Sequence, residues 1–306
     1  MTDTNVHDAW NTFWERQDGS NAKNGGCMPA GWQGIADRQR QVWQSFAKPL
    51  PKNAKVLDLA TGDGAVLSNL ISARRDLKLT GIDRATILPN APRGITLKGG
   101  VSMESLPFPD GAFAAVTSQF GFEYGDIGAI AVETARVLRK DGRVGLLTHR
   151  LDGPIVAHNR NRRDQIRWAI EEHDLPSIAR GSLALRKSGI AAIPQAVIDA
   201  PEKGAAAHGP GSAAWEIAEA IRHSLHLGRN EAAENVAAVL DDIEAQAKNE
   251  LGRIASLELA AATASDIESF DAAMSDAGFA QTGNAMVTDG HYPKPFADYR
   301  TYTLTA

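Results

Sequence analysis

One stretch, "KVLDLATGDGAV" at 55–66, constrains this chain more than any other. The apolar residues Val56, Leu57 and Leu59 surround Asp58, two glycines follow at Gly62 and Gly64, and an apolar pattern at helical spacing begins at Val66. A strand that turns through a glycine-rich loop into a helix brings backbone N–H groups close to a ligand. The question it raises is which ligand.

The neighbouring sequence repeats the unit. Strands are expected at 55–59, 77–83, 94–100, 113–120 and 143–149. Between them, Val66, Leu67, Leu70 and Ile71 mark one helix. Ile127, Ile130, Val137 and Leu138 mark another over 126–140, with Gly142 after its end. Alternation of this kind predicts an α/β fold: a doubly wound, mostly parallel sheet covered on both faces. Residues 1–50 read as helices broken by a glycine-rich loop. Trp10, Phe13 and Trp14 share one helical face, and a second stripe of Ile35, Val42 and Phe46 is stopped by Pro49 and Pro51.

After His149 the alternation ceases, and 150–264 reads as successive helices. Ile217, Ile221 and Leu225 recur at i, i+4, i+8 with Gly228 as the stop, and Asn230 is the expected N-cap of the next helix. Leu240, Ile243, Ala247 and Leu251 form the stripe of that helix, and 201–214 is expected to be a loop. A capping box of Ser265 and Glu268 then opens a helix that ends at Gly278, and two closing strands follow at 279–290 and 298–306. Three parts are expected: an N-terminal helical lid at 1–50, a ligand-binding α/β domain from 51–149 and 265–306, and a helical insert at 150–264 that serves as an acceptor-binding cap.

Composition narrows the classes. There are 32 basic and 37 acidic residues and a net charge of -5, which argues against broad nucleic-acid binding. No apolar run reaches the roughly 18 residues of a spanning helix, and the first residues carry neither a basic nor an apolar signal region. The single cysteine, Cys27, permits no intrachain disulfide and reads as an ordinary loop residue. A cytoplasmic protein is the expectation.

The ligand of the loop follows by comparison of charges. A dinucleotide site needs a third small residue where this chain has Leu67, and a P-loop needs a Gly-Lys-Ser/Thr that is absent. Asp58, inside the motif, would repel a pyrophosphate but attract an ammonium group. Asp83 ends the second strand about 20 residues on, where a carboxylate takes the hydroxyls of a ribose. A ligand with a ribose, an amino-acid tail and no phosphate satisfies both, and S-adenosylmethionine is such a ligand.

"VLDLATGDG", "GID", "MESLPFPDGAFAAVTSQFGFEY" and "ETARVLRKDGRVGLLTH", in this order, resemble the segments of class I S-adenosylmethionine-dependent methyltransferases, in particular the ubiquinone-biosynthesis-like small-molecule branch. The resemblance covers 55–149 well and the closing strands loosely. It implies a Rossmann-like seven-stranded sheet with an antiparallel last strand, and S-adenosylhomocysteine as product. It also implies that Ala60, Thr61, Gly62, Asp63 and Gly64 form the loop at the methionine part, that Asp58 helps place the amino group, and that Asp83 binds the ribose. Arg84 would lie along the adenine, Ser102 and Met103 would meet its edge, and Gln119 and Phe120 would face the methyl donor. Ser102 departs from the family's usual aspartate. A neutral hydroxyl gives up the charge-assisted part of that bond, on the order of 1 kcal/mol.

The acceptor side is less defined. His149, at the end of the fifth strand, is the best-placed general base, with His158 second; a hydrogen-bonded structural histidine is the alternative. Trp14, with Trp10 and Phe13, could stack on an aromatic acceptor or simply pack. Arg160, Arg162, Arg163 and Arg167 could clamp an acidic acceptor or form a solvated face balanced by nearby acids, and His223 and His226 lack the companions of a metal site. The partner expected is a small-molecule methyl acceptor, with no nucleic acid, no membrane and a homodimer as one possible assembly. Two other readings stay open. One is RNA or protein methylation, against which "SQFGFEY" lacks an Asn/Asp-Pro-Pro-Tyr motif. The other is a non-catalytic S-adenosylmethionine-binding protein.

Overall fold

The computed structural model describes residues 32–91, 93–185, 192–290 and 293–305. The chain divides into two compact units, 1–157 with 256–306, and 158–255.

The first unit is built on a seven-stranded sheet of order β3-β2-β1-β4-β5-β7-β6. Its strands are β1 (Lys55–Leu59), β2 (Lys78–Ile82), β3 (Ile95–Lys98), β4 (Phe113–Gln119), β5 (Leu138–His149), β6 (Phe279–Val287) and β7 (Ala297–Leu304). β1 to β5 pair in parallel, and β7 runs antiparallel to both β5 and β6. β1 and β4 are central and buried along nearly their whole length, with the polar Asp58, Thr117 and Ser118 buried among the apolar residues.

Alternation along β1 divides the core. Val56 joins Leu79, Ala115 and Leu147 under α1 (Gln33–Ala47) and α2 (Ala65–Ala73). Leu57 and Leu59 join Val116, Val144 and Leu146 under α3 (Ile127–Val137) and α9 (Ile267–Asp276). α1, expected to belong to a lid, is packed into this core, with Ile35, Trp43 and Ala47 fully buried. Residues 1–31, with Trp10, Phe13, Trp14 and Cys27, lie outside the described residues.

The second unit has its own core. It contains most of α4 (Pro154–Arg167), then α5 (Leu175–Leu185), α6 (Gln195–His208), α7 (Ala213–Leu227) and the larger part of α8 (Ala233–Ser265). Ile166, Trp168, Ala200, Ile221, Leu225 and Leu240 are buried together there. Residues 150–157 and 256–264, expected to belong to the insert, group with the sheet, where Ile155, Val156, Leu257 and Ala261 join its core. Among the described residues, no helix is long and apolar enough to cross a membrane.

Four local expectations are corrected. α3 ends at Val137, because Leu138 is already extended and pairs with Phe113; Gly142 lies inside β5, at an irregularity where Asp141 has φ 58°, and is no helix stop. Residues 201–208 are helical despite Pro201, since Pro201 and Gly204 are buried against neighbouring helices. A Cβ on Gly204 would lie 3.1–3.2 Å from the Ala214 backbone and the Trp168 ring, so glycine there serves close helix packing. Asn230 belongs to a 3₁₀ turn, and α8 begins at Ala233. α9 is capped by Asp266, which accepts from Ser269 N–H, while the Ser265 hydroxyl accepts from Leu151 N–H.

Candidate active site

The C-terminal ends of β1 to β5 lead into the expected residues other than His158, which belongs to the second unit, and Trp14, which lies outside the described residues. Left-handed backbone makes the loop after β1 possible: φ is 51° at Ala60, 52° at Gly62 and 75° at Gly64. Two further glycines give it room. A Cβ on Gly81 would lie 2.5 Å from Thr61 Oγ1, and one on Gly121 would lie 2.4 Å from Ala60 Cβ.

Asp83 ties this loop to the end of β2. Its Oδ2 accepts from Gly62 N–H (2.9 Å) and its Oδ1 from Ala85 N–H (2.9 Å). Burial raises its pKa against the lowering effect of these donors. Each oxygen has already accepted one backbone donor, and each keeps a second lone pair. Asp63 accepts from Ala65 N–H at the start of α2, and burial raises its pKa as well.

Asp58 is 1% exposed, opposite Gly81 on one side and Thr117 on the other. Its Oδ1 accepts from the Thr117 hydroxyl (2.7 Å). Its Oδ2 and the Thr61 hydroxyl make no hydrogen bond of good geometry. Burial pushes the Asp58 carboxyl up to about 7, the Thr117 and Thr61 hydroxyls oppose that, and the charges of Asp83 and Asp63 add to it.

After β3, Ser102 donates to Glu104, so the hydroxyl expected at the adenine is backed by a carboxylate two residues on. Met103 packs against the second core cluster, and Arg84 is exposed. Gln119 Oε1 accepts from Trp43 Nε1–H (2.7 Å), which fixes that side chain from α1.

Around β5 the geometry is tightest. His149 is 6% exposed. Its backbone N–H (2.8 Å) and its Nδ1 (2.9 Å) both reach Oε1 of Glu123, whose side chain is fully buried. The Phe120 ring lies over the imidazole with centroids 4.2 Å apart, and the Tyr124 ring meets it edge-on at 6.0 Å. Phe120 holds φ 54°, a conformation that costs about 1–3 kcal/mol in a non-glycine residue, and its N–H donates to Leu147 O (2.7 Å).

His158 belongs to the second unit, half-buried, with its pKa lowered by burial and by Arg162 against the opposing effect of Glu250. Arg162 pairs with Glu250 and Glu216, Arg163 with Asp164 and Arg167 with Glu171, so these arginines serve the balanced-face reading rather than a clamp. Glu123, Glu104, Thr117 and Trp43 are the residues that sequence reasoning missed. The only available signal for Glu123 was a carboxylate among aromatics in "SQFGFEY", directly after β4.

Comparison with known proteins finds relatives of part of this chain. Residues 57–146 match the family model described as "Methyltransferase domain". A demethylmenaquinone methyltransferase of Thermotoga maritima is 38% identical over 99 residues, 30% of this chain and 42% of the relative. One of Thermus thermophilus is 35% identical over 118 residues, 36% of this chain and 52% of the relative. The chain thus spans about half the length of the curated relatives it matches. Among solved structures, the YcgJ protein of Bacillus subtilis is similar at 22% identity over 43% of this chain and 59% of that one, with a TM-score of 0.35. Residues 57–146, the span that matches the methyltransferase domain model, lie in a seven-stranded sheet whose last strand in sequence runs antiparallel to its neighbours.

Proposed function

We propose that this chain is an S-adenosylmethionine-dependent methyltransferase acting on a small organic acceptor in the cytoplasm. The observation that carries the reading is Asp58 Oδ2, a buried carboxylate oxygen without a partner at the mouth of a glycine loop. An ammonium donor is the group such an oxygen lacks. Asp58, Gly62, Gly64 and Asp83 would hold the cofactor, with Ser102, Met103 and Glu104 toward its adenine and Gln119 and Phe120 toward its methyl group. When bound, it supplies an electrophilic methyl group on a sulfonium; the protein's task is mainly alignment and, where needed, removal of a proton.

The relatives' name makes demethylmenaquinone the first acceptor to test. Acceptor-binding side chains are assigned to the helical span at 150–264, from its place in chain order directly after β5. Calorimetric titration with S-adenosylhomocysteine tests the cofactor reading. The wild type is expected to bind at micromolar Kd, and Asp83→Asn at least tenfold more weakly. Binding without transfer to any acceptor would favour the non-catalytic alternative, and absence of binding would overturn the proposal.

A further inference from the structure

We infer that Glu123 is the positioning residue that makes His149 a base, and that the acceptor therefore presents an acidic O–H or activated C–H rather than a neutral amine. This rests on the methyltransferase reading. The argument begins with one oxygen. Glu123 Oε1 already accepts the backbone N–H of His149 at 2.8 Å. Its contact with Nδ1 at 2.9 Å is then best made as a second accepted bond, which puts the ring proton on Nδ1. The ring's lone pair is thereby left on Nε2. Nε2 makes no hydrogen bond among the described residues, since the contacts of this ring are Glu123, Phe120 and Tyr124.

Both the backbone and the ring of His149 are fixed by one fully buried carboxylate, and a strained Phe120 covers one face of the ring. The arrangement suits one event. The acceptor's X–H bond breaks, the proton goes to Nε2, and the electron pair of X forms a bond to the methyl carbon. The methyl–sulfur bond breaks with its electrons left on sulfur. The positive charge lost by the sulfonium reappears on the imidazolium, next to the Glu123 carboxylate. A neutral amine attacks with a lone pair it already has and needs no such base.

The test has an arm independent of turnover. Nitrogen-15 NMR of histidine-labelled protein, with the His149 signals assigned by their loss in His149→Gln, reads the tautomer directly. The expected result is a protonated Nδ1 and a bare Nε2 at neutral pH. In Glu123→Ala, which removes the acceptor of the Nδ1 proton, the preference for this tautomer should be lost. The second arm measures transfer to a panel of naphthohydroquinones, phenols, β-dicarbonyl acids and amines. Glu123→Gln should lower kcat about a hundredfold with KM and S-adenosylhomocysteine affinity little changed, and His149→Gln should do the same. A proton on Nε2 in the wild type, an unchanged tautomer in Glu123→Ala, or amine methylation that His149→Gln leaves intact would each overturn the inference. Loss of S-adenosylhomocysteine binding by the wild type would instead overturn the methyltransferase reading.

Discussion

Asp58 is held by one hydroxyl and by little else, and its titration follows from that. Burial raises its folded pKa to about 7, from 3.8 as an ordinary carboxylate. Between these values the folded chain keeps a proton that the unfolded chain has released. The contribution of this group to the stability of the ligand-free protein therefore falls as pH rises from about 4 to about 7, by up to about 1.4 kcal/mol per pH unit, and is level above, while His158, whose pKa is lowered from 6.5, works in the opposite sense below that value. Asp63 and Asp83, shifted the same way, add to the slope at its acid end. Asp58→Asn should flatten the upper part of the slope in denaturant titrations at stepped pH. Saturating S-adenosylhomocysteine should flatten it as well, because a cation at Oδ2 favours the ionised carboxylate. A slope unchanged by both would mean that Asp58 does not titrate there. Asp58 and Asp83 could be found in the sequence because a strand–turn–helix fixes their spacing. Thr117, 59 positions from Asp58, and Glu123, 26 from His149, meet their partners across strands whose pairing no local pattern announces.

At the scale of elements, the loop after β1 depends on how closely the end of β4 approaches it. Gly121 has an ordinary negative φ of -145°, so its glycine is needed for space and not for backbone freedom. Gly121→Ala should cost about 1–3 kcal/mol and weaken S-adenosylhomocysteine binding, because the displaced Ala60 moves the loop. Gly209→Ala is the control: its φ is 93° and ψ 156° with nothing near the added carbon, so it should lose about 1–3 kcal/mol by backbone strain and leave binding unchanged. Denaturation and calorimetry on both variants separate the two, and equal binding losses would remove the steric account. The elements that sequence located well, β1, β4 and α7, have their patterns written in consecutive residues. α6 was hidden by Pro201 and Gly204, which act as breakers in isolation but fill a tight helix contact in the fold. The start of β5 was hidden because the apolar Leu138 fits a helix stripe and a strand equally well.

Across the whole molecule, the separation of the cores has a thermodynamic consequence. The sheet's buried clusters draw on 35–156 and 257–304, while the helical cluster draws only on 166–254. A domain with its own core unfolds as its own cooperative unit. Both boundaries fall inside helices, α4 and α8, so each of these helices continues from one unit into the other. Calorimetric unfolding is expected to show two transitions. Leu240→Ala, a fully buried residue of the helical cluster, should lower one of them, with a cost of about 2–5 kcal/mol, and Leu57→Ala should lower the other by a similar amount. S-adenosylhomocysteine, bound through the ends of the sheet's strands, should raise only the transition that Leu57→Ala lowers. If both substitutions and the ligand instead move a single transition together, helices α4 and α8 transmit folding across the two cores, and the chain is one cooperative unit despite its two hydrophobic centres.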